Sequence, residues 1–202
     1  YRANSPVETR EDRFISWLLK NYPAHNVAKS NPILQRQRSI KHPNEIDQIK
    51  KACDITRKGF NRVLKFIKPD VWEYEIEAEF IHEFINSSSK GFAYSPIIAS
   101  GNDNNVLHYI KNNKQCKSGE LILMDVGAEY GNYSSDMTRT VPVSGKFTKR
   151  QKEIYNAVLR VKNEATKLLT VGNNWKIFHE QVGEIMTKEL LNVGLIDKID
   201  IK

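Results

Sequence analysis

The stretch from Leu121 to Thr140 constrains the fold more than any other, because it reads as two strands joined by a tight Gly131-Asn132 turn with one aspartate on each strand. The apolar run Leu121-Ile122-Leu123-Met124 suits a sheet interior, yet it ends on Asp125, and a charge placed there needs compensation. With a two-residue loop at Gly131-Asn132, Asp125 stands opposite Thr138 and Asp136 opposite Gly127. Both aspartates then share one face as diagonal neighbours, roughly 7–8 Å apart at the backbone. Carboxylates this close repel unless they are protonated or bind a cation, and hard oxygen donors suit several divalent ions. The alternative is that one aspartate caps a turn while the other pairs with Arg139; spacing alone leaves both open.

What flanks this hairpin is helical. Ile46, Ile49, Cys53, Thr56, Phe60, Val63 and Ile67 recur at spacings of three and four, which predicts a helix that begins near Pro43-Asn44 with Asp47 in an N-cap arrangement and stops at Pro69. A second helix is expected from about Trp72 to Asn86, with Ile76, Phe80 and Phe84 inward. Two extended pieces follow, Tyr94–Ser100 and Val106–Tyr109, separated by a turn over 101–105, and they are expected to share one antiparallel sheet with the hairpin. Thr148 and Gln151 form a capping-box pair opening a third helix on Ile154, Val158, Val161, Ala165 and Leu168, and a fourth runs from about Trp175 to Asn192. Helix, helix, sheet, helix, helix is an α+β order. Residues 1–38 are too few for a core of their own: a short amphipathic piece on Phe14, Ile15, Leu18 and Leu19 leads to an extended strand or linker over Ile33–Arg38.

Composition narrows the function classes. The 202 residues are 40% hydrophobic and 27% charged, as in a globular domain, and no apolar run approaches the ~20 residues of a membrane span, so no membrane partner is expected. The net charge of +7 comes from lysines spread over several helix faces without a nucleic-acid motif, which reads as a solvated basic surface and not a nucleic-acid site. Cys53 and Cys116 make no disulfide framework, and no export leader follows Tyr1; a cytoplasmic piece of a longer product is the expectation. His82-Glu83-Phe84-Ile85-Asn86 has asparagine where a zinc helix needs its second histidine, and His179-Glu180-Gln181-Val182-Gly183 fails likewise. There is no glycine-rich phosphate loop and no serine nucleophile elbow. His108, after a loop and just before the aspartate hairpin, is a candidate for holding substrate or moving a proton.

Ile97-Ile98-Ala99-Ser100-Gly101 through Leu107-His108-Tyr109, then Leu121–Tyr130 and Tyr133-Ser134-Ser135-Asp136-Met137-Thr138-Arg139-Thr140-Val141-Pro142-Val143-Ser144-Gly145-Lys146-Phe147, closely resemble the Xaa-Pro aminopeptidases (aminopeptidase P), a pita-bread metallopeptidase family. The match is strong over 92–159 and weaker over the flanking helices. Prolidases and methionine aminopeptidases share the two aspartates, but the Thr138–Phe147 continuation looks more like aminopeptidase P. The resemblance implies the first half of a pita-bread fold in residues 39–202, an antiparallel sheet covered by helices, preceded by a remnant of an N-terminal domain and linker in 1–38. It implies a metal-dependent exopeptidase that removes the N-terminal residue from peptides with proline second, using a hydroxide bridging two divalent ions, manganese foremost and zinc or cobalt otherwise. Asp125 and Asp136 match metal ligands, and His108 matches a substrate-pocket histidine that is not a ligand. The family's other ligands, one histidine and two glutamates, have no counterpart before Lys202, so the chain alone is expected to be inactive. The resemblance also implies a homo-oligomer. A non-catalytic pita-bread module that binds peptide or protein is the alternative of a different class.

Overall fold

In the computed structural model, residues 7–200 are described, and the chain divides into two compact units, Tyr1–Ile46 and Asp47–Lys202. The first unit holds two helices, α1 (Arg10–Asn21) and α2 (Asn31–Ser39), neither of which buries a residue. Thr9 and Asp12 cap α1 reciprocally, and Phe14, Trp17 and Tyr22 follow one another in ring contact along it. The extended segment expected over Ile33–Arg38 is instead the body of α2. Proline in the first turn presets the backbone, and Leu34-Gln35-Arg36-Gln37-Arg38 are all good helix formers, so local propensity outweighs the absence of an apolar stripe.

α3 (Pro43–Phe66) begins where expected, and there the Glu45 carboxylate accepts the His42 N–H at 2.6 Å. That bond does the capping assigned to Asp47 from sequence. The buried face of α3 carries Ala52, Ile55, Thr56, Gly59, Phe60 and Val63; Cys53, expected inward, is exposed. α4 (Glu73–Asn86) buries Ile76, Phe80 and Phe84 as its periodicity requires. A Cβ on Gly59 would stand 2.7 Å from the Phe84 ring and 2.9 Å from that of Phe80, so the bare backbone is what lets α3 and α4 close on each other.

The strands are β1 (Gly91–Phe92), β2 (Ile97–Ser100), β3 (Leu121–Val126), β4 (Ala128–Tyr130), β5 (Tyr133–Ser134) and β6 (Met137–Pro142). They form two three-stranded antiparallel sheets, ordered β1-β4-β5 and β2-β3-β6, where one sheet was expected. The hairpin crosses from one to the other. Tyr130 faces Tyr133 at the tip and Leu121 faces Pro142 at the base, so its register is continuous with the two-residue turn, in which Gly131 and Asn132 both have left-handed backbones. Ile122, Met124 and Val126 alternate inward at 0% exposure into the core that contains Phe60, Phe80 and Phe84. Fully burying three such side chains contributes roughly 5–8 kcal/mol before the entropy of ordering them.

Residues 101–105 form a 3-10 turn, and 106–109, expected as a strand, is irregular, with His108 left-handed. α5 (Lys149–Leu168) opens on the expected Thr148/Gln151 box and buries Ala157 and Val161, while Val158 is exposed. α6 (Trp175–Asn192) packs along α5, with Arg160 forked onto Glu189 at 2.8 and 2.6 Å. No described helix is long and apolar enough to cross a membrane.

Cys53 and Cys116 are both free thiols. Burial pushes the Cys116 thiol up to about 11, so its reactive thiolate is scarce at pH 8 and increases as pH rises through that value. Iodoacetamide at pH 8 is expected to modify one thiol per folded chain, at Cys53, and both after denaturation, as read by intact mass and peptide mapping.

Candidate metal centre

The site begins with a mismatch between strands. The Ala93 N–H donates to the Gly127 carbonyl, continuing the β1–β4 pairing, whereas Ile97 already faces Asp125. Three residues, Tyr94, Ser95 and Pro96, therefore oppose only Val126 and must loop out, and Pro96 has no N–H to leave unpaired there. The excursion carries the Tyr94 hydroxyl to 2.6 Å from Asp125 Oδ1 and 3.0 Å from Asp136 Oδ1. The two acceptor oxygens are thus no further apart than those two bonds combined, a span that one hard cation or a close pair can bridge.

Asp125 faces Thr138 across the hairpin as the turn register requires. It lies on the opposite side of β3 from Met124 and Val126, half-buried, and Asp136 is exposed. Asp136 is fixed through its neighbour. The Ser135 hydroxyl lies 2.7 Å from that of Thr56 on α3 and donates to the Ala128 carbonyl at 3.0 Å, and the Ala128 N–H points at both hydroxyls, 2.9 Å from Thr56 Oγ1 and 3.0 Å from Ser135 Oγ. Gly127 completes the arrangement: a Cβ there would stand 1.8 Å from the Ser135 carbonyl oxygen, inside the backbone itself.

Among the described residues no lysine, arginine or histidine forms an ion pair with either aspartate. Arg139, the cationic partner that spacing left open, donates instead to the Thr138 carbonyl at 2.7 Å. Burial first, then its hydrogen bond to Asp125, hold the Tyr94 phenol far above its ordinary range, so it keeps its proton and stays a donor. Two carboxylates sharing one phenolic proton, with no fixed cation, make an all-oxygen donor set suited to a hard or borderline divalent ion. No group of three or more His, Cys, Asp or Glu side chains among the described residues could hold a metal ion.

His108 is exposed and hydrogen-bonds neither aspartate among the described residues; His82 and His179, set aside from sequence, are also exposed, on α4 and α6. Tyr94 was missed by sequence reasoning. Its signal was faint: Pro96 marks a break in the strand, but only the partner registers reveal the loop-out. A groove of about 650 Å³, lined by neither aspartate, runs between Leu121, Thr138 and Thr140 of the sheet and Ile154, Tyr155 and Val158 of α5.

The chain belongs to metallopeptidase family M24, whose match covers residues 47–199. Its relatives include the Xaa-Pro aminopeptidase of Haemophilus influenzae, 38% identical over 190 residues, covering 94% of this chain and 44% of that protein. Two Escherichia coli aminopeptidase P structures, one in complex with substrate and one zinc-substituted in complex with product, each superpose at TM-score 0.84 and 30% identity. Each alignment covers 98% of this chain and 47% of the other. The chain therefore spans less than half the length of these relatives, and its α+β fold corresponds to about half of an aminopeptidase P structure.

Gly127→Ala is expected to cost at least about 3 kcal/mol in urea unfolding, because its methyl group meets backbone, whereas Gly183→Ala, with nothing within 4 Å, should be neutral or stabilising by about 1 kcal/mol. Tyr94→Phe should cost about 1.5–3 kcal/mol at pH 7 by the same measurement, through loss of a charge-assisted hydrogen bond.

Proposed function

We propose that this chain contributes the N-terminal part of the catalytic domain of an Xaa-Pro aminopeptidase, which removes the first residue from peptides with proline second. The observation that supports this most is the Tyr94-bridged aspartate pair, lying within the segment that matches family M24. Asp125 and Asp136 are read as ligands to divalent metal, manganese foremost and zinc or cobalt otherwise, and His108 as a residue on the substrate side.

Bound divalent ions supply Lewis acidity and lower the pKa of coordinated water, which removes the need for a protein nucleophile. The chain's own residues have three tasks. Asp125, on β3, and Asp136, in the two-residue link between β5 and β6, supply negative oxygens that the Tyr94 hydroxyl reaches together. Tyr94, which retains its proton, ties Asp125 Oδ1 to Asp136 Oδ1 and orients both carboxylates before metal arrives. His108, exposed on its turn, is free to donate to or accept from a peptide.

Two outcomes test the reading. The 202-residue chain alone should not hydrolyse Xaa-Pro peptides when manganese is added, since among the described residues no group of three or more His, Cys, Asp or Glu side chains could hold a metal ion. Metal-dependent turnover by the purified chain would contradict that. When the chain is joined to the remaining length its relatives have, Asp125→Asn should lose close to one metal equivalent by elemental analysis, while His108→Ala should keep its metal and lose turnover. Equal metal loss in both variants would make His108 a ligand and overturn the assigned roles.

A further inference from the structure

Fifteen residues, 101–115, connect β2 to the approach of β3 and carry His108, yet beyond one 3-10 turn and a single bridge from Gln115 to Trp72 they have no regular structure. Their order comes from side chains on the first turns of α4. Glu73 is fully buried, and both its oxygens are engaged: Oε1 accepts the Ser100 N–H and the Ser100 hydroxyl, each at 2.7 Å, and Oε2 accepts the Tyr109 hydroxyl at 2.8 Å and the Lys114 N–H at 3.0 Å. The Glu73 N–H donates in turn to the Lys114 carbonyl at 2.9 Å. One side chain thus joins the end of β2, the residue after His108, and the return limb of the connection.

A second anchor stands one helical turn on. Asn112, buried and left-handed, accepts the Ile98 N–H at 3.0 Å and donates to the Pro96 carbonyl and to Glu77 Oε2. Lys114 and Asp103 close the connection on its outside at 2.7 Å, but Lys114 is half-exposed and that pair is screened. Burial, followed by the hydrogen bond to Glu73, raises the Tyr109 phenol above its ordinary range, so the donor does not ionise away. His108 itself, at φ +53°, has a backbone conformation that non-glycine residues adopt only when their surroundings impose it, and the restraint next to it in the chain is Tyr109 on Glu73.

We propose that Glu73 is a positioning residue for His108: through Tyr109 and Ser100 it sets where the histidine stands relative to the strand that pairs with Asp125. Buried carboxylates are costly, and a merely structural anchor could be apolar; four converging donors make this one a directional clamp. The functional meaning rests on reading His108 as a substrate-side residue.

The experiment uses the chain as it is. Tyr109→Phe removes a single hydroxyl and leaves the other three bonds to Glu73; Glu73→Gln replaces one acceptor oxygen by a donor group. In both, the His108 ring C–H signal in a ¹H–¹³C spectrum should shift or broaden while those of His82 and His179 stay in place. Amide exchange over 106–114 should quicken by about tenfold or more, with β3 and β6 within about twofold of the parent. An unmoved His108 signal with parental exchange over 106–114 in Tyr109→Phe overturns the proposal, as does a uniform rise in exchange across the unit. Should Glu73→Gln not fold, Tyr109→Phe decides alone. These readouts report geometry and not turnover, so an absence of peptidase activity leaves them unaffected, and a failure here leaves the peptidase reading standing.

Discussion

The repulsion between two carboxylates held on one hairpin is the constraint to which the rest of the structure answers. Two unit charges about 5 Å apart at an effective dielectric near 20 repel by on the order of 3 kcal/mol, a substantial share of a small domain's net stability. A flexible loop would let them separate. Here Asp125 is fixed in β3, whereas Asp136, expected on a strand, sits in the two-residue link between β5 and β6, and Gly127 and Ser135 pack too closely between them for the hairpin to slip. The single phenolic proton of Tyr94 is what the protein itself offers in compensation.

Holding that geometry requires a stiff foundation on the other face. Ile122, Met124 and Val126 project from β3 into a core of Phe60, Phe80 and Phe84, so moving Asp125 means moving close-packed rings. The Thr56 hydroxyl reaches from α3 into the hairpin beside Ser135, which gives the helix layer a polar as well as an apolar grip on the strand before Asp136. The same logic appears at the entry to β3, where Asn104 stands in for a strand by donating to the Leu121 carbonyl and accepting the Leu123 N–H, each at 3.0 Å. Irregular backbone around the site is satisfied by buried side chains, which orders it without a regular ladder.

Membership of family M24 places this chemistry in a longer setting, since the relatives extend over roughly twice the length aligned here. Thr138, the residue paired with Asp125, also lines the groove between the sheet and α5.

Much of this was legible in the residues. Gly131-Asn132 determined the hairpin register, and with it the shared face of Asp125 and Asp136, because side chains alternate strictly along a strand. Apolar spacing located α4 and its three buried positions, and Thr148 with Gln151 located the start of α5, since these signals are local. The sequence could not indicate that α3 turns Ala52 and Ile55 inward and Cys53 outward, for seven apolar residues spread over a helix permit more than one buried stripe. It could not separate one sheet from two, nor place Tyr94 over the aspartates, because both follow from a register difference between strands distant in the chain. Glu73 shows the limit most plainly: in the sequence it is one more acidic residue in a first helical turn, and only the tertiary structure brings Ser100, Tyr109 and Lys114 to its two oxygens. Local pattern determined which elements form and which way their faces point; long-range packing decided which polar groups meet.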